Sequence, residues 1–213
     1  MIKILFEDEH ICICEKLPGM ISQDNQSEES LPALLKKQLN CEIFTLHRLD
    51  KPVGGAIMYA KTKQAACAFS KLISENALSK QYMTVLDAVP EKDDSTLTDY
   101  LFHDKQKNKT FIVKRLRKGV KEAILEYKVI GKSDNHALTL VTLITGRTHQ
   151  IRVQFASRKT PVTGDGKYGS RNNRCETALW SHKLGFTHPM TGEKISIISN
   201  PPDESYPWNL FKK

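Results

Sequence analysis

Two strand-like runs, Ala123 to Ile130 and Ala137 to Thr145, flank the stretch Gly131-Lys132-Ser133-Asp134-Asn135. Such runs on both sides of a turn-rich pentapeptide read as a β-hairpin. The same grammar recurs along the chain. Residues 2–6 and 10–16 read as short strands about Glu7-Asp8-Glu9, and Ala178 to Phe186 and Glu193 to Ile198 as a closing hairpin. Further strand patterns run over Gly54 to Lys61 and through KQYMTVLDAVP, which stops at Pro90. Helical spacing is confined to Leu31 to Leu39, to a segment N-capped by Thr62 with Ala65, Ala66, Phe69, Leu72 and Ile73 on one face, and to THQIRVQFASRK. Pro18-Gly19 breaks the chain, and Gln23 to Ser30 reads as a polar loop. Strands joined by turns rather than crossovers predict an α+β fold with a largely antiparallel sheet. No repeat or linker interrupts the chain, so one domain over residues 1–213 is expected.

Composition narrows the function classes. No stretch approaches ~20 consecutive apolar residues, so no membrane span is expected. The N-terminus lacks the basic start, apolar run and small-residue cleavage site of a signal peptide. Five cysteines at irregular spacing argue for a reducing compartment, hence the cytoplasm, and Cys12 and Cys14 read as core residues of a strand. Charge is unevenly placed. Residues 103–121 hold eight Lys and Arg, including Lys105, Lys107, Lys109, Lys114, Arg115 and Arg117, against Asp104 alone, whereas residues 1–32 hold two Lys against seven acids. Such a basic segment suits a polyphosphate partner, because each neutralised phosphate releases counterions; the plain alternative is a solvated loop that aids solubility.

Four stretches concentrate reactive groups. In His47-Arg48-Leu49-Asp50, extended backbone puts Arg48 and Asp50 on one face, at the mouth of an apolar strand. A carboxylate there needs a partner to stay ionised, though it could equally pin the turn at Lys51-Pro52. Lys80-Gln81-Tyr82 opens a strand, where a tyrosine ordinarily packs. In Thr145-Gly146-Arg147-Thr148-His149-Gln150-Ile151-Arg152 a glycine turn leads into a helix with Arg152 at the border of its apolar face, so that guanidinium should reach a carboxylate or a phosphate. Gly164-Asp165-Gly166-Lys167-Tyr168-Gly169 fits neither a dinucleotide fingerprint nor a P-loop and reads as a tight connection. HExxH, Cys-x-x-Cys and GxSxG are absent, and seven scattered histidines form no metal-ligand spacing.

Taken together, HRLDKPVGGAIMYAKT, KQY, TGRTHQIRVQFA, PVTGDGKYG and ALWSHKLGFTHPMTGE, in that order, resemble the RluA family of RNA pseudouridine synthases from about Lys3 to Ile198. The resemblance implies a mixed, mainly antiparallel sheet with a central cleft, and the catalytic portion without the N-terminal RNA-binding module that many members carry. It implies a reaction without cofactor or metal, on ribosomal or transfer RNA, and a monomer is the simplest expectation. In that reaction the C1′–N1 bond of a uridine breaks, the base rotates and C5 is joined to C1′ instead.

Carried over by position, Asp50 is the catalytic carboxylate, Tyr82 stacks on the base near the C5 proton, and Arg152 pairs with Asp50. Arg48 fills the space vacated by the flipped base or holds its backbone, with His47, Arg147 and His149 as further substrate contacts. After HRLD the family commonly continues Lys/Arg-x-Thr-Ser-Gly, and here Lys51-Pro52-Val53-Gly54-Gly55 lacks those hydroxyls.

The chemistry explains the residue types. A carboxylate can stabilise or capture positive character at the sugar, and an arginine can hold it ionised and oriented. Extruding a stacked base costs roughly a few kcal/mol, against which aromatic stacking returns ~1–3 kcal/mol. The competing classes are a non-catalytic RNA-binding or chaperone protein on the same fold and a metal-dependent nuclease or deaminase. The second needs a ligand cluster that the sequence does not supply.

Overall fold

The computed structural model describes residues 1–24 and 29–212; part of the polar loop expected over Gln23 to Ser30 lies outside the described residues. The chain forms two compact units: residues 1–80 with 180–201, and residues 81–179 with 202–213.

The first unit is built on β1 (Ile4–Glu7), β2 (Ile11–Lys16), β3 (Phe44–Thr45) and β4 (Gly54–Ala60), with α1 (Leu31–Leu39) and α2 (Lys63–Ser74). Strand β2 runs antiparallel to β1 and to β4, and β3 is antiparallel to β4. The first helix starts where Ser30 Oγ accepts the Ala33 N–H at 3.3 Å and ends at Asn40 in the left-handed region. Thr62 caps α2 as expected, its Oγ1 accepting the Ala65 N–H at 3.1 Å. Every residue of β4 is buried. Its Ile57 side is continuous with the buried strand β2, and Ala56, Met58 and Ala60 join Ile11, Ile13, Phe69 and Phe186 in one apolar cluster. Cys12 and Cys14 are fully buried free thiols in this core.

Late in the chain β10 (Leu179–Thr187) and β11 (Lys194–Ile198) form the expected hairpin. Strand β10 runs parallel to β4 through Trp180 opposite Gly54 and Ser181 opposite Gly55. This approach explains the Gly54-Gly55 pair. A Cβ on Gly54 would lie 2.2 Å from the Trp180 ring, and one on Gly55, at φ 109°, would lie 2.4 Å from the Ser181 carbonyl oxygen. The departure from the family pattern after HRLD is therefore matched to the neighbouring strand.

The second unit takes over within β5 (Ser79–Leu86) and continues with β6 (Asp94–Asp104), β7 (Lys109–Val113), β8 (Val120–Ser133), β9 (His136–Leu143) and α3 (Gln150–Ala156). Its strand order is β5-β9-β8-β6-β7, with the β6–β7, β6–β8 and β8–β9 pairs antiparallel. Val153 of α3 packs with Leu101, Ala123 and Tyr168 in one apolar cluster. Both units together are an α+β fold with few helices and mixed, mainly antiparallel strands, as the turn pattern predicts.

The basic segment folds differently from a loop. Part of it forms β7, so its charges are separated into a turn over residues 105–108 at one end of the β6–β7 hairpin and a turn over residues 114–119 at the other. Five residues of strand set those turns roughly 17 Å apart.

Candidate active site

The Asp50 turn belongs to the first unit. The Val53 N–H donates to the Asp50 carbonyl at 2.9 Å, closing the turn through Lys51 and Pro52. Just before it, Leu49 is clamped by Ser22, whose Oγ donates to the Leu49 carbonyl at 2.8 Å and accepts the Leu49 N–H at 3.3 Å. Beyond the acid, a residue that sequence analysis did not single out takes over. Lys16 has no solvent exposure, and its ammonium donates to the carbonyls of Val53 at 2.6 Å, Lys51 at 3.0 Å and Leu17 at 3.2 Å. Burial pulls its pKa down to about 8, and the Asp50 charge acts in the opposite direction by favouring the ammonium. The lysine that ends the strand run ICICEK was the available signal.

His47 has a defined state. Its Nε2 accepts the Met58 N–H at 3.1 Å, so Nδ1 carries the proton. Burial and then the charge of Lys80 bring its pKa down to about 3, so any contact with substrate is made by a neutral ring. Arg48 is exposed, and Asp50 is half-buried.

The remaining candidates lie in the second unit. Tyr82 is buried on β5, and its neighbour Gln81 donates to Thr142 Oγ1 on β9 at 3.2 Å. The GRTHQIR loop is tied down by Gln150: its Oε1 accepts from the Arg147 N–H and from Thr145 Oγ1, both at 2.9 Å, while its Nε2 donates to the Ile124 carbonyl at 3.0 Å. Arg147 Nε donates to the Glu122 carbonyl at 2.9 Å. His149 adopts φ 53° immediately before α3, a left-handed conformation uncommon for a residue with a Cβ.

Arg152 is almost fully buried and is held bidentate by Asp165, Nε to Oδ2 at 2.7 Å and Nη2 to Oδ1 at 2.8 Å. Asp165 itself has no exposure. The loop read from sequence as a tight connection thus also carries a structural carboxylate for this arginine. Three residues on, the Tyr168 ring lies 5.1 Å from the Arg152 guanidinium. Its hydroxyl accepts the Thr110 N–H at 2.8 Å and meets His149 Nδ1 at 2.8 Å. Burial raises the Tyr168 pKa, so the hydroxyl stays protonated.

The substrate-contact candidates divide accordingly. Lys105 and Lys107 are exposed at one hairpin turn, and Lys114, Arg115 and Arg117 at the other, with Arg117 5.8 Å from the Phe102 ring. Lys109 is half-buried, its ammonium 5.4 Å from the Tyr168 ring. Among the described residues no group of three or more His, Cys, Asp or Glu has the arrangement of a metal site. Among the described residues no helix is long and apolar enough to cross a membrane.

Against these geometries, the family model described as RNA pseudouridylate synthase matches residues 10–157, a span that includes Asp50, Tyr82 and Arg152. The chain belongs to the RNA pseudouridylate synthase family. An uncharacterized RNA pseudouridine synthase of Aquifex aeolicus is 32% identical, aligned over 95% of this chain and 70% of its own length. The uncharacterized synthase YhcT of Bacillus subtilis is 31% identical over 90% of this chain, and the match spans 66% of that relative's length. Ribosomal large subunit pseudouridine synthase D of Xanthomonas campestris is 27% identical over 95% of this chain and 67% of its own length. Among solved structures, human RNA Pseudouridylate Synthase Domain Containing 1 shares the fold, with a TM-score of 0.81 at 21% identity over 95% of this chain and 84% of that one.

Proposed function

We propose that this chain isomerises specific uridines of structured RNA to pseudouridine, with Asp50 as the catalytic carboxylate and Tyr82 and Arg152 as its partners in the reaction. The carrying observation is the Asp50 turn: a buried ammonium and a buried serine hold the backbone on both sides of this one acid, a preorganisation that binding alone has no use for. In this reading Asp50 stabilises or captures the sugar C1′ as the bond to N1 breaks. The detached uracil rotates on the Tyr82 ring, and C5 then bonds to C1′ as its proton leaves and N1 gains one. Arg48, exposed two residues from the acid, stands in for the flipped base or holds the backbone beside it. Arg147, His149 and the Lys and Arg of residues 105–117 supply further RNA contacts.

Both units act as a single catalytic domain in this proposal, as a cytoplasmic monomer that needs neither cofactor nor metal. The names of ribosomal large subunit relatives from Xanthomonas campestris and Neisseria meningitidis favour ribosomal over transfer RNA as the substrate. The test is tritium release from RNA labelled at uridine C5, measured with chelator present. Wild type should release tritium, and Asp50→Asn should lower the rate ~10³-fold or more. Asp50→Asn turnover at the wild-type rate overturns the site, and RNA binding without release by wild type selects the non-catalytic reading.

A further inference from the structure

A cleft of about 500 Å³ lies wholly within the second unit, between the edge strand β7, helix α3 and the turn at residues 166–169. That volume falls in the range of roughly 300–1,000 Å³ in which small ligands bind. Its floor is apolar: Ile112 and Ala156 are partly buried against Val153 and Tyr168. Its rim is aromatic and cationic. The Lys109 ammonium sits 6.0 Å from the Phe111 ring and 5.4 Å from the Tyr168 ring, and Phe111 is 37% exposed. Lys167 reaches across the turn and donates to the Asn108 carbonyl at 2.8 Å, so its ammonium stands beside the same opening.

A second cleft of about 430 Å³ adjoins the first and shares Ala156, Tyr168 and Gly169 with it. Lys159 and Arg171, both exposed, line this second cleft together with Asp87, one of whose oxygens already accepts from Ser170 Oγ at 2.6 Å. Along the two clefts four cations therefore face one acid that is engaged within the protein. The opening is unobstructed at its glycines: a Cβ built on Gly169, which both clefts share, or on Gly166, which lines the first, would meet nothing within 4 Å, which leaves room for a sugar-phosphate chain to lie close.

An apolar floor, an exposed aromatic ring and a line of cations are what an unpaired nucleotide requires, stacking for the base and charge for the phosphates. We propose that these adjoining clefts hold a single-stranded segment of the RNA, distinct from the reacting nucleotide. One unstacked base lies in the β7–α3 cleft against Phe111, and the flanking phosphates lie on Lys109 and Lys167 and then on Lys159 and Arg171. The proposal rests on RNA being the substrate, and it assigns Lys159, Lys167, Arg171 and Phe111, none of which the sequence reading made a substrate contact.

Fluorescence anisotropy on the full chain tests it, using a labelled oligouridylate of about 12 nucleotides, free or annealed to oligoadenylate, over a salt series. Wild type should favour the free strand. Lys167→Gln combined with Arg171→Gln should weaken that binding and reduce the slope of log K against log salt by about 1.4, at ~0.7 per phosphate contact. Phe111→Ala should weaken free-strand binding about tenfold and leave duplex binding unchanged. A wild-type salt slope in the double variant, or free-strand binding of Phe111→Ala equal to wild type, overturns the track. All three substituted side chains are exposed, so folding is preserved. Tritium release is scored separately: an active enzyme with unaltered variants sinks only the track, and an inactive protein that binds as expected sinks only the catalytic reading.

Discussion

Each unit buries a cation next to its key residues, and the two do so by opposite means. In the first, Lys16 is a compact point charge that meets backbone carbonyls, with burial drawing its pKa to about 8. In the second, Arg152 is a planar guanidinium in a bidentate grip on Asp165. The lysine can lose its proton near physiological pH, whereas the arginine keeps its charge throughout. The lesson is that one support is pH-sensitive by construction and the other is permanent. A turn can be held through its carbonyls by a titratable donor, but a side chain that must present a fixed cation needs a carboxylate behind it.

The strongest way to break this contrast is Asp165→Asn. It strips a bidentate charge partner from a buried guanidinium and should cost about 3–5 kcal/mol of unfolding free energy, read from urea denaturation. A loss below about 1 kcal/mol would show that the Arg152–Asp165 pair is not the support described here.

Lys16 should give a smaller effect with a distinctive pH signature. Its folded pKa lies below the ordinary lysine value of 10.5, so between about pH 8 and 10.5 the unfolded chain binds more protons than the folded one. From this group alone, stability therefore rises with pH across that window, by at most ~3 kcal/mol. Lys16→Met should remove the rise. In the same window wild-type tritium release should fall as the ammonium that holds the Asp50 turn deprotonates, and the variant, slow at every pH, should lack that fall. A fall near pH 8 that persists in Lys16→Met would assign it to another group.

The smallest effect sharpens the picture of the basic hairpin. Lys105→Gln with Lys107→Gln, or Lys114→Gln with Arg115→Gln, should each change stability by no more than ~0.5 kcal/mol. Each pair should lower the salt slope of RNA binding by about 1–2 if its turn contacts phosphate. Because the turns lie at opposite ends of the hairpin, a loss at one end only would orient the RNA along it.

Much of the fold was legible because its signals are local. The Thr62 cap with the apolar face behind it and the closing hairpin each rest on interactions within a few residues and formed where the pattern placed them; the β8–β9 hairpin also formed, but Gly131 to Ser133 pair within it and only Asp134-Asn135 turn. Strand β7 was not legible. Its lysine and the charges around it read as one basic segment, and only pairing with β6 makes it a strand.

The resemblance of the motifs to a known family marked Asp50, Tyr82 and Arg152 as candidates, whereas read alone Tyr82 is an ordinary packing residue at a strand start. Their supports were invisible for a physical reason. Lys16 meets the carbonyls of Lys51 and Val53 at separations of 35 and 37 residues, and Tyr168 meets Thr110 across 58. A lysine closing a strand and a tyrosine in a glycine loop look ordinary until burial removes water and leaves each polar group to be satisfied by partners distant in sequence. Which cation is buried, what it holds and whether it can titrate are properties of that enclosure, so the tertiary structure alone decided them.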